Sequence, residues 1–224
     1  MFDNSEVRDV NIISPAKRNS PNFPSVGGIE LVGYKRIKDE KAKDFNCLVI
    51  TFKDPKTNAK LEHREFEPKP KEGKTPEQFK KQLNLVVSRI AHITRAFVSQ
   101  EEFESIKKQE TWTGYLGENA RVLGVQNEVP TRAKGQLMDL KVVLRENQGK
   151  YYSALPNVPP FISTANHPKS LTFDPNYDLV EIPTNKPDAP GSSANQNDFS
   201  AQSFSANAGS QPATESGAKT DDAF

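Results

Sequence analysis

The 224-residue sequence has few residues that form covalent or metal cross-links: one cysteine and three histidines. A single cysteine cannot form an intramolecular disulfide or a thiolate-rich metal site, and the apolar run around Cys47 predicts a small buried hydrophobe. No apolar run approaches the ~18 residues of a membrane-spanning helix, and the N-terminus lacks the basic and apolar regions of a signal peptide. These absences predict a soluble, cytosolic protein.

Apolar residues are also scarce, at 34% of the chain against ~45–50% in typical globular proteins. Residues 184–224 contain no Leu, Ile, Val, Met, Trp or Tyr, which predicts a disordered linker and acidic C-terminal tip. Residues 1–26 are punctuated by Pro15, Pro21 and Pro24 and are predicted to form an irregular arm. One folded domain is expected between these two, over residues 27–183.

The net charge of +1 conceals a difference between the body and the tail. Residues 184–224 carry two lysines and five acidic residues, a net charge of −3. Residues 1–183 carry 28 basic and 24 acidic residues, a net charge of +4. A basic body followed by an acidic tail is typical of proteins that handle nucleic acid.

No motif indicates a catalytic or metal site. His63, His92 and His167 are far apart, and none has a Cys, Asp or Glu at the spacing of a metal ligand pair. His92 lies in a helix pattern near its apolar face, and His63 lies in a polar segment that predicts a solvated strand face. The sequence therefore predicts a non-enzymatic protein with no cofactor and no metal.

Strand patterns dominate the first part of the body. Residues 29–37, 46–53 and 60–67 are predicted strands, and the turn residues 54–59 make the last two a hairpin. In the second strand Leu48, Ile50 and Phe52 alternate with Cys47, Val49 and Thr51, so the two sets are expected on opposite faces.

The strongest helix signal follows. Thr75 is a predicted N-cap with Pro76 at the first helical position, and apolar residues then recur at helical spacing as far as Phe97. Ser99 and Glu102 form a capping-box pattern that opens a second, short helix. Residues 109–136 have no clear pattern. Residues 137–145 predict a strand with a basic outer face, and residues 150–155 predict the last strand.

Three strands, a helix and two strands occur in the order of the OB-fold, a five-stranded Greek-key barrel with a helix between its third and fourth strands. The predicted fold class is therefore mainly β with helix (α+β). The expected architecture is an OB-fold-like five-stranded barrel with an enlarged helical insertion between strands three and four. Other α+β folds share this order of elements.

An OB barrel binds its ligand across strands two and three, between two flanking loops. Cations along such a groove neutralise phosphates, and flat aromatic rings stack on unpaired bases. Candidate contacts with single-stranded nucleic acid are Lys38, Lys41, Lys43, Arg64, Phe66, Trp112, Tyr115, Lys141, Arg145, Lys150, Tyr151 and Tyr152. Consecutive strand residues point to opposite faces, so at least one of the two adjacent tyrosines is expected in the core. Trp112 is as well suited to filling the barrel as to stacking.

The sequence ends in KTDDAF. With the basic body and polar linker, this tip resembles the single-stranded DNA-binding proteins of bacteria and bacteriophages. The resemblance implies sequence-independent binding of single-stranded DNA during replication, recombination and repair in the bacterial cytosol. It also implies that Asp221, Asp222 and Phe224 bind partner replication and repair proteins, and that the tip competes with DNA for the basic groove. The alternative is a viral structural, cargo or adaptor protein whose body binds protein.

Overall fold

The computed structural model describes residues 11–38 and 43–183 of the chain. The candidate contact Lys41, the predicted disordered segment 184–224 and its partner-binding residues Asp221, Asp222 and Phe224 lie outside these ranges. The described strands are β1 (Ser25–Ile37), β2 (Cys47–Lys53), β3 (Lys60–Phe66), β4 (Val125–Gln126), β5 (Val129–Pro130), β6 (Leu137–Lys141), β7 (Val143–Asn147), β8 (Lys150–Ala154) and β9 (Ile162–Thr164). The helices are α1 (Pro76–Arg95), α2 (Gln100–Glu104) and α3 (Trp112–Val122).

The central element is a five-stranded antiparallel sheet in the order β3-β2-β1-β6-β9. Two hairpins, β4–β5 and β7–β8, accompany it, and all three helices lie in the chain between β3 and β4. The predicted α+β class and the helical insertion after the third strand are thus confirmed. The described sheet is open, with β3 and β9 as its edge strands, so closure into the expected barrel is not confirmed.

The β2–β3 hairpin forms where the sequence predicts it, and its turn explains why. The Asp54 carboxylate accepts hydrogen bonds from the Lys56 N–H and the Thr57 hydroxyl, both at 2.8 Å. These bonds are the largest cause of the lowered pKa of Asp54. The pairing of Lys53 with Lys60 then begins an unbroken register that ends at Cys47 and Phe66.

Both predicted helix starts are also confirmed. Thr75 and Gln78 form a reciprocal capping box at the start of α1, and Ser99 and Glu102 form another at α2. Such boxes satisfy N–H groups that the first helical turn leaves without partners. In α1 the buried side chains begin only at Val86, so the first half of the helix lies outside the core.

The hydrophobic core lies between one face of the sheet and helices α1 and α3. The Tyr34 hydroxyl joins β1 to α3 by donating to the Leu116 carbonyl at 3.0 Å, and the Tyr115 hydroxyl joins α3 to α1 by donating to the Val87 carbonyl at 3.1 Å. Ile13, from the segment that precedes β1, is also part of this core. No helix in the described parts of the chain is both long and apolar enough to cross a membrane.

Residues 172–183, here called the C-terminal strap, pack against β6 and β7. The Leu144 N–H donates to the Leu179 carbonyl at 2.6 Å. Lys141 extends its ammonium group to the Asp178 carboxylate at 2.5 Å and to the Thr172 carbonyl at 2.7 Å. The strap therefore covers a part of the sheet that the sequence predicts to be a basic outer face.

Candidate nucleic-acid interface

The outer face of β1, β2 and β3 carries side chains that the core does not use. Cross-strand partners in an antiparallel sheet project to the same side, so the registers assign each residue to a face. Leu48, Ile50 and Phe52 belong to the core on the inner face, and their predicted separation from Cys47, Val49 and Thr51 is confirmed. The outer face therefore carries rows of cross-strand neighbours that include Ile37, Cys47 and Phe66, then Lys35, Val49 and Arg64, then Gly33, Thr51 and Glu62.

This outer face has an apolar floor. Val49 and Cys47 are only 4% and 5% exposed, although neither belongs to the core cluster. Both lie on β2, so the longer side chains of β1 and β3 flank them on either side. Burial raises the pKa of the Cys47 thiol, which keeps it neutral, and its predicted burial is confirmed.

Phe66 and Arg64 stand at the β3 side of this floor. Phe66, the last residue of β3, remains 44% exposed. Arg64 lies two residues earlier on the same face, with its side chain 31% exposed and 3.5 Å from the Glu62 carboxylate. An exposed ring near a guanidinium provides the stacking surface and the cation that a base and its phosphate require. The structure thus brings these two sequence-predicted residues together.

The opposite rim is formed by Lys35 and the β4–β5 hairpin. β1 pairs with β6 only as far as Glu30, and beyond it the Tyr34 N–H donates to the Glu128 carbonyl at 2.8 Å. Asn127 and Glu128 both have positive φ, 48° and 66°, which fits the tight turn of a two-residue hairpin. The Glu128 carboxylate lies 3.2 Å from the Lys35 ammonium group. The cation of this rim, Lys35, is therefore already paired with a carboxylate.

Neither Lys35 nor Glu128 is among the sequence-predicted contacts. Alternation within β1 could have identified Lys35, because it pairs with Val49, which the prediction places on the face of β2 opposite Ile50. Glu128 carries no such signal, since its position depends on a two-residue hairpin inside the unpatterned segment 109–136.

The β1–β2 loop lies at the Phe66 end of the outer face. Lys38 directly follows Ile37, whose partner Cys47 is in turn the partner of Phe66. Lys38 and Lys43 are both exposed. The strand pairing thus places Lys38 at the end of the sheet where Phe66 lies, and Lys43 belongs to the described part of the same loop.

The β7–β8 hairpin holds four more predicted contacts. Arg145 and Tyr152 are cross-strand partners, and both are half-buried. Burial lowers the pKa of Arg145 and raises that of Tyr152. Tyr151 donates to Glu146 at 3.3 Å, and Lys150 is exposed at the hairpin turn. Neither adjacent tyrosine is buried in the core, so the expectation that at least one would be is wrong.

Three other predicted contacts are engaged in interactions within the protein. Lys141 is 7% exposed and is paired with Asp178 of the strap, so the prediction that it presents its charge to a ligand is wrong. The strand breaks after Lys141, and Val142 and Val143 are both buried. The ring of Trp112 is 9% exposed and fills the core, which decides between its two predicted roles.

Tyr115 is the third of these residues. It packs against the core cluster, its hydroxyl is bonded to Val87, and burial raises its pKa to about 12. Its ring centroid is 6.1 Å from that of Trp112. The expectation that these two rings face a ligand is therefore corrected.

The inner face of β3 carries a charged cluster that the sequence predicts to be solvated. Glu65 is 3% exposed; Arg89 from α1 donates to both of its carboxylate oxygens, and His63 Nε2 lies 2.7 Å from Oε1. Burial alone would raise the pKa of Glu65, but the bonds from Arg89 and His63 outweigh it and hold the pKa below its usual range. Arg89 also donates to the Asn157 carbonyl at 3.1 Å. The cluster therefore joins β3, α1 and the segment after β8.

No other grouping in the described residues indicates a ligand site of a different class. No three His, Cys, Asp or Glu side chains within residues 11–38 and 43–183 are arranged to hold a metal ion. A cleft beside α2 is lined in part by Arg132 and Glu102, whose charges already pair at 2.6 Å.

No protein-family model, curated protein or solved structure matches the chain. Any function must therefore be inferred from the residues and geometry of the chain itself.

Proposed function

We propose that the chain binds single-stranded DNA, without reading its sequence, across the outer face of β1, β2 and β3. The observation that carries this proposal is the exposed ring of Phe66 beside Arg64, on a face whose floor is apolar and whose other rim carries Lys35. Stacking and phosphate neutralisation are tolerant of sequence, because every base has a π face and every nucleotide has a phosphate.

The same proposal includes completion of an OB-like barrel. In this arrangement β6 with β7 would be the fourth strand and β8 with β9 the fifth, after an insertion that contains α1, α2 and α3. Two observations support it: β1 pairs with both β2 and β6, and β8 lies close to β3. In OB-folds oligonucleotides bind the face of strands two and three, which corresponds here to the side of Arg64 and Phe66.

For the C-terminal segment we propose recruitment of replication and repair proteins through Asp221, Asp222 and Phe224. The support is chemical: carboxylates attract a basic patch over a long range, and one buried phenylalanine adds apolar burial of about 1.5–3 kcal/mol. The role in DNA replication, recombination and repair follows from these two activities together.

Binding of oligo-dT and of duplex DNA by the full chain, measured by fluorescence anisotropy over a series of salt concentrations, tests the proposal. The expected result is tighter binding of oligo-dT than of duplex, with an affinity that falls steeply as salt rises. Equal and salt-insensitive binding of both, or binding of neither, would contradict it and favour a protein-binding structural or adaptor role. An oligo-rU series in the same assay determines whether DNA is preferred over RNA.

A further inference from the structure

Residues 68–85 connect β3 to α1 and include the first half of that helix. This basic extension contains five lysines and two glutamates, a net charge of +3. By comparison, residues 1–183 together carry a net charge of +4. All five lysines are exposed: Lys69, Lys71, Lys74, Lys80 and Lys81. Most of the net positive charge of the body is therefore concentrated in eighteen consecutive residues, which is typical of a phosphate-binding surface.

The basic extension has a defined local structure. The Lys74 N–H donates to the Lys71 carbonyl at 3.1 Å across a turn in which Gly73 has a φ of 80°. The capping box of Thr75 and Gln78 then fixes the start of α1. Lys71, Lys80 and Lys81 make no ion pair within the described residues. Their ammonium groups are thus held on ordered backbone without a carboxylate partner there.

The first half of α1 extends beyond the core that the helix packs against. None of residues 76–85 is buried, and the buried positions begin at Val86. At 1.5 Å per residue these ten residues add about 15 Å of helix. This part of the helix presents Lys80 and Lys81 to solvent.

The basic extension begins at the end of the outer face where Phe66 lies. Phe66 is the last residue of β3, and the chain runs from it through Glu67 directly into residues 68–75. The strand pairing places the β1–β2 loop, with Lys38, at this same end. A single strand that crosses the outer face and passes Phe66 would therefore next meet the lysines of the extension.

We propose that residues 68–85 lengthen the interface by binding the phosphates of a single strand that leaves the outer face past Phe66. This inference rests on the proposed function, because the outer face must hold the first nucleotides. Site sizes of about 4–16 nucleotides per OB-fold are compatible with a short strand on the outer face alone and a longer strand that also reaches α1.

The test compares oligo-dT of about 5 and about 16 nucleotides, lengths within that range of site sizes. The triple variant Lys71→Gln/Lys80→Gln/Lys81→Gln should bind the longer strand roughly tenfold or more weakly at low salt, with its salt slope reduced by about 2, because each lost phosphate contact removes ~0.7. Its affinity for the shorter strand should be unchanged. The matched control, Lys56→Gln/Lys107→Gln/Lys108→Gln, removes three exposed lysines elsewhere and should bind both strands like the unaltered protein.

Two results would overturn the inference while leaving the proposed function intact. One is an unchanged salt slope for the longer strand in the triple variant. The other is an equal loss for both lengths, which would place the lysines at the outer face itself. If the unaltered protein binds neither strand, the proposed function fails and the extension fails with it. Unchanged melting temperatures of both triple variants show that the fold is retained.

Discussion

At the scale of single residues, Phe66 is the side chain on which the proposed interface depends most. Replacement by alanine removes the stacking surface at the end of β3, so Phe66→Ala should weaken oligo-dT binding by about 1–3 kcal/mol for one stacked base. Stacking releases no counterions, so the salt slope should stay the same. Fluorescence anisotropy over a salt series measures both quantities.

The control for this variant is Tyr177→Ala, which removes an aromatic ring that is 79% exposed on the C-terminal strap. It should leave oligo-dT affinity unchanged. Equal losses in the two variants would mean that exposed rings contribute without regard to position, and the assignment to the outer face would then be wrong.

A second residue-scale prediction concerns His92, which couples α1 to the segment that contains β9. Its Nε2 accepts hydrogen bonds from the N–H groups of Phe161 and Ile162, both at 3.1 Å, and only a neutral ring can do so. Burial, with a smaller contribution from Lys169, lowers the pKa of His92 from 6.5 to about 4. The unfolded chain therefore takes up this proton at a higher pH than the folded chain.

Because the unfolded state binds more protons between these two pKa values, the contribution of His92 to stability is present above about pH 6.5 and is lost as pH falls towards 4. Urea denaturation at pH 7 and pH 5 should differ by about 1–2 kcal/mol from this group. His92→Gln should reduce that difference, whereas His167→Gln should retain it. An unchanged pH dependence in His92→Gln would exclude the bonds to Phe161 and Ile162 as its cause.

At the scale of elements, the C-terminal strap is held by one buried ion pair. Lys141 and Asp178 have side chains that are 9% and 4% exposed, so removal of either charge leaves the other buried and unpaired. Asp178→Asn should therefore destabilise the fold by about 3–5 kcal/mol. The double variant Lys141→Met/Asp178→Leu removes both charges and should be far closer to the unaltered protein in its free energy of unfolding.

Urea denaturation of the single and double variants distinguishes this role from nucleic-acid contact. If Lys141 contacted phosphate, the double variant would show a smaller salt slope for oligo-dT, while Asp178→Asn would leave stability unchanged. The structure predicts the reverse: a large loss of stability in Asp178→Asn and an unaltered slope in the double variant.

Elements with local signals could be predicted from the sequence. The β2–β3 hairpin is encoded by Asp54 and its turn, and the starts of α1 and α2 by their capping boxes. Helix α3 has a weaker local signal, because its buried face combines Trp112 and Leu116 with the polar Asn119. The Asn119 side chain is satisfied by the Thr94 hydroxyl at 2.8 Å, a long-range bond that hydrophobic periodicity cannot reveal.

The residues of the candidate site divide in the same way, into those with a local signal in the sequence and those that depend on long-range contacts. Alternation along β3 places Arg64 and Phe66 on one face, and the register confirms it. The pattern of β6 alone makes Lys141 look equally suited to contact nucleic acid. It is instead buried by pairing with a carboxylate 37 residues later in the chain. A half-buried strand predicts which side chains point away from the core, but not whether a later segment covers them.

At the scale of the whole molecule, residues 184–224 should be dispensable for folding. They contain none of the large aliphatic residues that a core requires, so their deletion should leave the melting temperature nearly unchanged. The same deletion should tighten binding to short oligo-dT at low salt, because a tethered anionic segment competes for the basic surface. Salt should diminish this gain, and equal affinities with and without the segment at low salt would exclude the competition.

Replacement of Phe224 alone should have a different effect. Phe224→Ala retains Asp221 and Asp222, so competition with DNA should persist. Binding of a protein partner should be lost, because the substitution removes the apolar side chain that the partner would bury. Pull-downs with bacterial replication and repair proteins, with and without the substitution, measure this. Recovery of the same proteins from both would contradict a role for Phe224.

The most direct test of the central claim is to map the backbone amide signals that shift when oligo-dT is added to the isotope-labelled full chain. The proposed interface predicts shifts concentrated on the outer face of β1, β2 and β3, around Lys35, Arg64 and Phe66, with little change in the C-terminal strap. Shifts confined to the strap or to the cleft beside α2, with Arg64 and Phe66 unaffected, would contradict the assignment of this face as the site of single-stranded DNA binding.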